Sequence, residues 1–375
     1  MPIAPQIKIL TTADPSGSSK FVADITQEAI GWRRSIRAQG GYWQGSFSMR
    51  GSLDDLQQVF YYWLGLRVKE ISGGQTTWDG MIYEMDLTYH GVTRRRSLDL
   101  MCNYVTVFYE DDEGETQNTT AVTNTDSIQH YGRYEGMWTL DTISQTAAEA
   151  FGNTRLKELG WPLQRVVGVR PGEIESNEAI LDVVCCGYIF TANWRFEQVG
   201  DGSQDNLSDW ISEILTTDCE FLEPGIVNEN TLQVYKANSQ PRRCWDVMLE
   251  LAAIGDSSSN PWRIYCGNDR LVHYEQISAT KKYYLRDGKL RGPFSSEVLA
   301  NPWTVTPAVV RDADYPIAGS QNGGWLIDNR DFYVEEVECG VDTGLVLKSS
   351  EFDEGEILIA QLEYLASMFN PEDED

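Results

Sequence analysis

Positive charge is scarce in this sequence. Lysine and arginine together number 30 against 57 aspartates and glutamates, which leaves a formal net charge of −27 at pH 7. Because an acidic surface repels phosphate groups, we expect neither tight binding to nucleic acid nor attachment to anionic membranes. A simpler interpretation, that the charge only keeps the chain soluble, stays open at this stage.

Patterns that hold metals or activate nucleophiles are also missing. The three histidines, His90, His130 and His273, stand in no H-x-x-H, H-E-x-x-H or mixed Cys/His spacing, so we predict no metal and no cofactor. The Gly-x-x-x-x-Gly-Lys-Ser/Thr phosphate loop and the Gly-x-Ser-x-Gly nucleophile turn do not occur. A catalytic Cys/His pair is the alternative to buried cysteines and surface histidines.

The cysteines do not form a disulfide pattern. There are seven of them, and none belongs to a C-x-x-C pair. The adjacent Cys185 and Cys186 would point to opposite faces of a strand. We therefore expect reduced, mostly buried thiols and synthesis in a cytoplasm. Those in apolar, helical or aromatic runs are Cys102, Cys185, Cys186, Cys219, Cys244, Cys266 and Cys339.

Targeting and membrane segments are not apparent. Residues 1–5 contain no basic region followed by an apolar run, so we expect no signal peptide. No run of about 18 apolar residues occurs, so we expect no insertion of this chain into a membrane.

Three sets of charged residues are candidates for chemistry or binding. A sugar-hydrolysing pair is sought among Glu70, Asp79 and Glu84, which lie near aromatic residues. A calcium loop is sought in Asp201, Asp205 and Asp209, which lack EF-hand spacing. The one basic cluster is Arg94, Arg95 and Arg96.

Each set also has a plain structural explanation. With 57 acidic residues in the chain, carboxylates near aromatic rings are expected by chance, and the aspartates fit a solvated loop. The arginines fit a hairpin tip that pairs with acidic residues of a neighbouring subunit, or a solvated turn. We predict no catalytic, cofactor-binding or metal-binding residue, and expect that the protein is not an enzyme.

What the sequence does contain favours β-structure. At 375 residues it is long for one core, and 41% of the residues are hydrophobic, so two or three domains are expected. Aromatic residues make up 11%, with 12 tryptophans and 18 tyrosines, and many turn signals separate short runs. Aromatic and β-branched residues suit pleated, half-buried surfaces, so the fold is predicted to be mainly β with α+β elements.

Apolar alternation and turn residues predict the individual strands. Strands are expected at residues 5–13, on both sides of Gly40-Gly41 within 25–51, at 67–71, 80–88 and 98–109, at 166–169, within 179–196, and again from about 301. Turns are expected at Gly73-Gly74 and over residues 89–96. The run 98–109 is the clearest long strand.

Capping residues and helical spacing predict the helices. One is capped by Ser52 and stops at Gly65, and a second is capped by Asp141 and stops at Gly160. A Gly/Asp-rich break at residues 199–206 separates the β-rich part from a region with helical patterns. The first helix of this region is capped by Asn206 or Ser208. Another helix is opened by Pro241, a hairpin joins residues 262–265 to 270–274, and residues 354–369 form a last helix.

Two groups of motifs resemble a known family by their order and spacing. The first group is Gly40-Gly41-Tyr42-Trp43, the helix end Leu64-Gly65, Trp78-Asp79-Gly80, and Ser127-Ile128-x-x-Tyr131-Gly132 before the helix at Asp141. It resembles the first tube-like domain of tailed-bacteriophage hub proteins. The second group is Trp245-Asp246 up to Gly255, Trp262-Arg263, and Asp269-Arg270-Leu271-x-x-Tyr274. It resembles the inserted module of related minor tail proteins.

The resemblance covers about two thirds of the chain and implies a definite architecture. It implies tandem tail-tube-like β-barrel or sandwich domains, at residues 1–165 and at 166–205 with 301–375, and a small α/β module at 206–300. Such hubs are trimers whose paired domains form a pseudo-sixfold ring between a tail tube and a central spike. No cofactor and no catalytic residue is carried over. The implied partners are other copies of the chain, the tail tube or distal-tail protein, and spike or fibre proteins.

The resemblance also implies that the protein lies in the virion tail, is assembled in the bacterial host cytoplasm, and lets DNA pass through an acidic lumen without sticking.

Other functions stay open. One is a host-surface carbohydrate-binding tail protein, which would expose clustered tryptophans among Trp43, Trp63, Trp161, Trp245 and Trp303. Another is a carbohydrate-active enzyme, and a third is a hexameric distal-tail protein.

Overall fold

The described part of the chain is mainly β, which confirms the predicted fold class. A computed structural model describes residues 5–11, 19–72, 74–170, 178–197, 202–236 and 241–277, and the strands 283–286, 289–291, 321–323, 332–340 and 344–349.

Strands account for most of the regular structure. The first twelve are β1 (Gln6–Leu10), β2 (Phe21–Asp24), β3 (Ile30–Arg37), β4 (Gly40–Gly51), β5 (Arg67–Ser72), β6 (Gln75–Tyr89), β7 (Val92–Ser97), β8 (Tyr104–Glu110), β9 (Thr116–Asn118), β10 (Val122–Thr123), β11 (Glu135–Leu140) and β12 (Leu163–Val169). The next eight are β13 (Ala179–Gly187), β14 (Phe196–Glu197), β15 (Gln204–Asn206), β16 (Glu223–Val227), β17 (Gln233–Tyr235), β18 (Arg242–Arg243), β19 (Trp262–Cys266) and β20 (Leu271–Gln276). The last five are β21 (Tyr283–Arg286), β22 (Lys289–Arg291), β23 (Gln321–Gly323), β24 (Phe332–Gly340) and β25 (Gly344–Ser349).

Helices are fewer and short. The α-helices are α1 (Leu53–Tyr62), α2 (Thr125–Tyr131), α3 (Gln145–Leu159), α4 (Leu207–Thr217) and α5 (Cys244–Ile254). Short 3₁₀ turns lie at Tyr188–Trp194 and Asn268–Arg270.

Strand β13 is the centre of the main sheet. It pairs antiparallel with β4 on one edge and with β6 on the other. Its sequence, AILDVVCCG, is mostly apolar; Leu181, Val183 and Cys185 are buried on the core side, whereas Asp182 is exposed on the other. Beyond β4 the sheet continues through β3 to β24 and β25.

Strand β6 is long enough to serve two neighbours along its other edge. Its first half pairs with β5, which pairs with β1, and its second half pairs with β7, which pairs with β12. The turn between β6 and β7 is tight, at His90 and Gly91, which both have positive φ. The predicted turn over 89–96 is therefore wrong, because Arg94, Arg95 and Arg96 belong to a strand. Backbone pairing with β6 holds them there although the segment has no apolar face.

The predicted strand at 98–109 begins later than expected, at Tyr104. Its first residues form a turn in which the N–H of Met101 donates to the Leu98 carbonyl. Leu98, Met101 and Cys102 are buried. The apolar character of this stretch thus reflects burial in a turn, which alternation alone cannot distinguish from a strand.

Helix α1 begins as predicted but ends at Tyr62, before the expected stop at Gly65, and two other helix starts are wrong. Ser52 Oγ accepts the N–H of Asp55 at the start of α1. Helix α3 is capped by Ser144 and not by Asp141, since the N–H of Ile143 is bonded to the Glu110 carbonyl and holds the preceding residues extended. Helix α5 begins at Cys244, because residues 242–243 first pair with β14.

A small lobe, residues 102–160, has its own core. Its four-stranded sheet contains β8 between β10 and the parallel β11, with β9 beside β8. Helix α3 packs on β8 through Ala148, against Val105 and Val107. Helix α2, also in the lobe, was not predicted. The lobe lies beside β7, since Arg96 of β7 donates to Tyr131 Oη of α2 at 3.0 Å.

The segment 206–277 shares one hydrophobic core with the N-terminal sheet. That core extends from Ile7 to Tyr274. Strand β19 runs parallel to the start of β4, with Cys266 opposite Gly41. Gly41 has φ +74°, and a Cβ there would lie 2.1 Å from the Cys266 carbonyl oxygen, so glycine is required at this approach. The division into tandem tube-like domains and an inserted module remains a prediction.

The predicted hairpin at 262–274 is confirmed as β19 and β20. The predicted helix at 354–369 lies outside the described residues, and of the β-region from 301 the structure describes β23, β24 and β25. Among the described residues, no helix is long and apolar enough to cross a membrane.

Candidate functional surface

The solvent side of the main sheet is a continuous polar face. Along β4, β13 and β6 the side chains alternate, with Phe47, Val183 and Met85 buried on the core side. Their neighbours point to solvent. We call this surface the polar face; its residues are Ser46, Ser48, Asp182, Glu84, Asp86, Thr88, Arg95 and Arg165.

One row of the polar face crosses five strands in register. Ser48, Asp182, Asp86, Arg95 and Arg165 stand opposite one another on β4, β13, β6, β7 and β12. Ser48 donates to Asp182 at 2.5 Å, and Arg95 donates to Asp86 at 2.8 and 2.7 Å. Arg95 also lies 3.2 Å from Glu84. The face therefore carries both signs of charge, and its carboxylates are partly neutralised.

Strands β7 and β12, which we call the edge arm, follow β6 in the main sheet. Within the described chain β12 pairs with β7 alone, so its outer backbone edge is open. Val166, Val167 and Val169 are 56%, 41% and 64% exposed. An apolar strand with an open edge is a ready template for pairing with another chain.

The arginine triplet divides into three different roles. Arg96 donates to the Phe60 carbonyl at 3.2 Å and to Tyr131 Oη at 3.0 Å, which ties the arm to the end of α1. Arg95 is held by the carboxylates of β6. Arg94 is exposed and has no ion pair or hydrogen bond with the described residues. The expected hairpin-tip position is wrong, but a solvent-facing cation is present.

The two motif groups that carry the family resemblance meet at one place, which we call the junction. Tyr42 Oη donates to Asn268 Oδ1 at 2.6 Å. The buried Asp79 accepts Arg67 Nε at 2.8 Å and the Asp269 N–H at 3.1 Å. Asp79 and Arg67 side chains are 0% and 6% exposed. These residues join β6 to the β19–β20 turn and thereby hold the segment 206–277 on the sheet.

The candidate glycosidase carboxylates are not gathered in a cleft. Glu70 forms a buried ion pair with Arg34 at 2.5 Å, Asp79 belongs to the junction, and Glu84 is on the polar face. Glu70 and Asp79 are shielded from solvent, so a sugar chain cannot reach them in this conformation.

The candidate calcium loop is likewise not assembled among the described residues. Asp205 lies 3.0 Å from Lys236, and Asp209 accepts Asn206 Nδ2 at 2.8 Å. Asp201 lies outside the described residues. In the part of the chain that the structure describes, no group of three or more His, Cys, Asp or Glu side chains is placed to hold a metal ion.

Histidines and cysteines have local structural contacts. His273 Nδ1 accepts the N–H of Ile226 at 3.1 Å, and burial lowers the pKa of this imidazole. His90 stacks on Tyr89, and His130 contacts the Asp126 carbonyl. The expected buried, unpaired thiols are confirmed for Cys102, Cys185, Cys186, Cys219, Cys244 and Cys266. The side chain of Cys339 lies outside the described part of the structure.

Trp161 lines a surface cleft on the lobe. The cleft has a volume of about 530 Å³ and is lined by Thr123, Asn124, Thr125, Asp126, Leu156, Lys157 and Trp161. Trp161 is 47% exposed and lies edge-on to Tyr131, with ring centroids 6.4 Å apart. Of the other tryptophans expected in a sugar cleft, Trp245 is buried and Trp43 and Trp63 are half-buried. Trp303 lies outside the described residues.

Buried charges lie where the lobe meets α4. Arg195 Nε donates to Glu135 at 3.2 Å, and Arg195 lies 3.9 Å from Glu220. Asp218, at the end of α4, is 7% exposed. Burial raises the pKa of Asp218 to about 6, with Arg195 acting in the opposite direction.

Comparisons with known proteins identify no family. No protein-family model matches the chain, and no curated protein does. Among solved structures, the 43 kDa tail protein of prophage MuSo2 from Shewanella oneidensis is similar with a TM-score of 0.40 and 9% identity, over 92% of this chain and 95% of that one. The Francisella PdpA-VgrG complex is similar with a TM-score of 0.33 and 7% identity, over 90% of this chain and 48% of that one. This chain thus spans about half the length of the second. These identities are too low to transfer the role of any residue.

Proposed function

We propose that this protein is a non-enzymatic structural component of a bacteriophage tail, a hub protein that forms a ring between the tail tube and the central spike or tail tip. Its partners are copies of itself, the tube or distal-tail protein, and spike or fibre proteins. It assembles in the host cytoplasm and resides in the virion tail. Neither cofactor nor catalytic residue has a part in this role.

The observation that carries the proposal is the main sheet itself. It combines a packed core side, a polar face that crosses five strands, and the open apolar edge of β12. A sheet with an open edge can continue into the sheet of a neighbouring copy, which is what a ring of β-domains requires. The ordered motifs of the family resemblance support the same role.

The test is the mass of the purified chain in solution, with the symmetry of rings in electron micrographs. A trimer supports the hub. A hexamer supports the distal-tail alternative, and a stable monomer at micromolar concentration contradicts both.

Passage of DNA through the ring is part of the proposal. The net charge of −27 supports a lumen that repels phosphate, and in the row that crosses five strands the polar-face arginine Arg95 is held by carboxylates. Duplex DNA at low salt is expected not to be retained by the ring, because counterion release would give little gain. Salt-dependent retention would contradict a non-sticking passage.

A second candidate function is binding of host-surface glycans, which the Trp161 cleft favours. An exposed indole beside hydroxyl and amide groups can stack on a sugar ring and bond its hydroxyls. Glycan-array binding that is lost in Trp161→Ala but kept in Tyr62→Ala, an exposed aromatic on α1, would support it. No binding by the wild-type chain would remove this candidate.

A further inference from the structure

We infer that the edge arm of one copy docks on the β8–β9 hairpin of a second copy, and that this contact joins the subunits of the ring. The inference rests on the proposed function and names the surfaces that execute it. One surface is open, apolar and basic, and the other is exposed and acidic.

The edge arm combines the features of an interface centre. Its valines are exposed on an open edge, and Trp161 stands at its start, 47% exposed. Tryptophan and arginine are the residue types that most often dominate binding at protein interfaces. Arg94 and Arg165 are exposed, whereas Arg95 is neutralised by Asp86 and Glu84. Two cations and an apolar edge are thus available to a partner.

The lobe offers the complementary charge. Residues 102–160 contain ten acidic and three basic side chains. At the tip of the β8–β9 hairpin, Asp111 is occupied by the backbone N–H groups of Glu113 and Glu115. Asp112 and Glu113 are exposed and make no ion pair with the described residues. They match the two available arginines in number and are opposite to them in charge.

The hairpin also offers an open backbone edge. Strand β9 pairs with β8 alone in the described chain, and Thr116, Gln117 and Asn118 are all exposed. Placing β12 beside β9 would pair two open edges. Arg165, on the polar face, and Arg94, on the opposite face of the arm, would then approach the acidic tip from the two sides of the arm. Both edges would then be covered, which removes a site of unspecific aggregation.

The geometry of such a contact leads to a ring. Arm and lobe are different surfaces of one chain, so the contact is head-to-tail. Head-to-tail contacts produce closed rings when the rotation between copies closes, and filaments when it does not. A symmetric pairing of two arms would instead stop at a dimer.

Charge reversal and rescue test the inference. In Arg94→Glu/Arg165→Glu, two attractive pairs per contact become repulsive, and we expect the dissociation constant of the oligomer to rise about tenfold to a hundredfold. Adding Asp112→Lys/Glu113→Lys to the same chain restores the opposite pairing, so association is expected to return to within about threefold of wild type. The measurement is mass photometry across a concentration series at fixed salt.

The matched control is Lys20→Glu/Arg33→Glu, which makes the same change in net charge outside the arm and the lobe. It is expected to leave the dissociation constant nearly unchanged, and circular dichroism checks that every variant is folded. If wild type is a monomer, the proposed ring fails. If wild type is an oligomer that the reversal weakens no more than the control, or that the added lysines do not rescue, the ring stands and this contact is wrong.

Discussion

Strands β13 and β12 belong to one sheet and each contains a Val-Val pair, yet their surroundings are opposite. Val183 on β13 is 1% exposed, whereas Val166 and Val167 on β12 are 56% and 41% exposed. The former strand has neighbours on both edges and a core beneath it. The latter has one neighbour in the described chain and side chains exposed on both faces. The same residues therefore stabilise the fold in one strand and are available for association in the other.

The largest difference in unfolding free energy is expected between an ion pair of the junction and one of the polar face. Asp79→Ala removes the buried carboxylate that accepts Arg67 and leaves this buried cation only the exposed carboxylate of Asp269, and we expect it to lower the free energy of unfolding by about 3–5 kcal/mol. Asp86→Ala removes the partly exposed partner of Arg95 and should cost less than about 1 kcal/mol. Urea denaturation of both variants measures this. Similar losses would mean that the ion pairs of the junction and of the polar face do not differ in burial as described.

The same substitution, valine to alanine, compares the two strands directly. Val183→Ala removes methyl groups from the packed core and is expected to cost about 2–3 kcal/mol of unfolding free energy. Val166→Ala should change it by less than about 0.5 kcal/mol. Thermal and urea unfolding, performed at a concentration where the chains are monomeric, give both values. A large loss at Val166 would show that the β12 edge is covered within a single chain.

A third comparison lies within the edge arm. Arg96→Ala breaks hydrogen bonds to the end of α1 and to Tyr131, and is expected to cost about 1–2 kcal/mol of stability. Arg94→Ala should cost less than about 0.5 kcal/mol but should weaken self-association. A larger loss of stability in Arg94→Ala than in Arg96→Ala would show that Arg96 does not anchor the arm.

The smallest expected effect depends on pH. Because the folded pKa of Asp218 is raised to about 6, the folded state binds the proton more tightly than the unfolded chain. The stability that protonated Asp218 contributes is present at lower pH and is lost as pH rises through about 6. Asp218→Asn should therefore gain about 1–2 kcal/mol over wild type at pH 8, after allowance for solvent screening. The gain should shrink towards pH 5.

Unfolding free energies of wild type, Asp218→Asn and the exposed Asp112→Asn across pH 5–8 check this. The last variant controls for the loss of one acidic side chain at an exposed position. A constant difference for Asp218→Asn across the range would contradict the raised pKa.

Local chemistry made several elements predictable. Ser52 followed by carboxylates marked the start of α1, and the spacing around Gly267 marked the β19–β20 hairpin. Prediction failed where long-range contacts outweigh local preference. The arginine run of β7 is a strand because β6 supplies its hydrogen bonds. The buried Leu98 turn imitates a strand because burial also selects apolar residues.

Only part of the candidate surface could be predicted from the sequence. The basic cluster was apparent as residues, but its division into an anchor, a neutralised cation and an available cation depends on partners far along the chain, such as Phe60 and Tyr131. The exposed valines of β12 carried no signal, since an apolar pair predicts burial.

Composition and alternation were enough to establish a mainly β fold, unpaired buried thiols at the described cysteines and the strongly acidic character, because these depend on residue type and local period. Which strand lies at the centre and which at the edge was decided by the folded chain, since burial depends on how many neighbours a strand acquires. Residues distant in sequence supply those neighbours, and they bury Val183 while leaving Val166 and Val167 exposed.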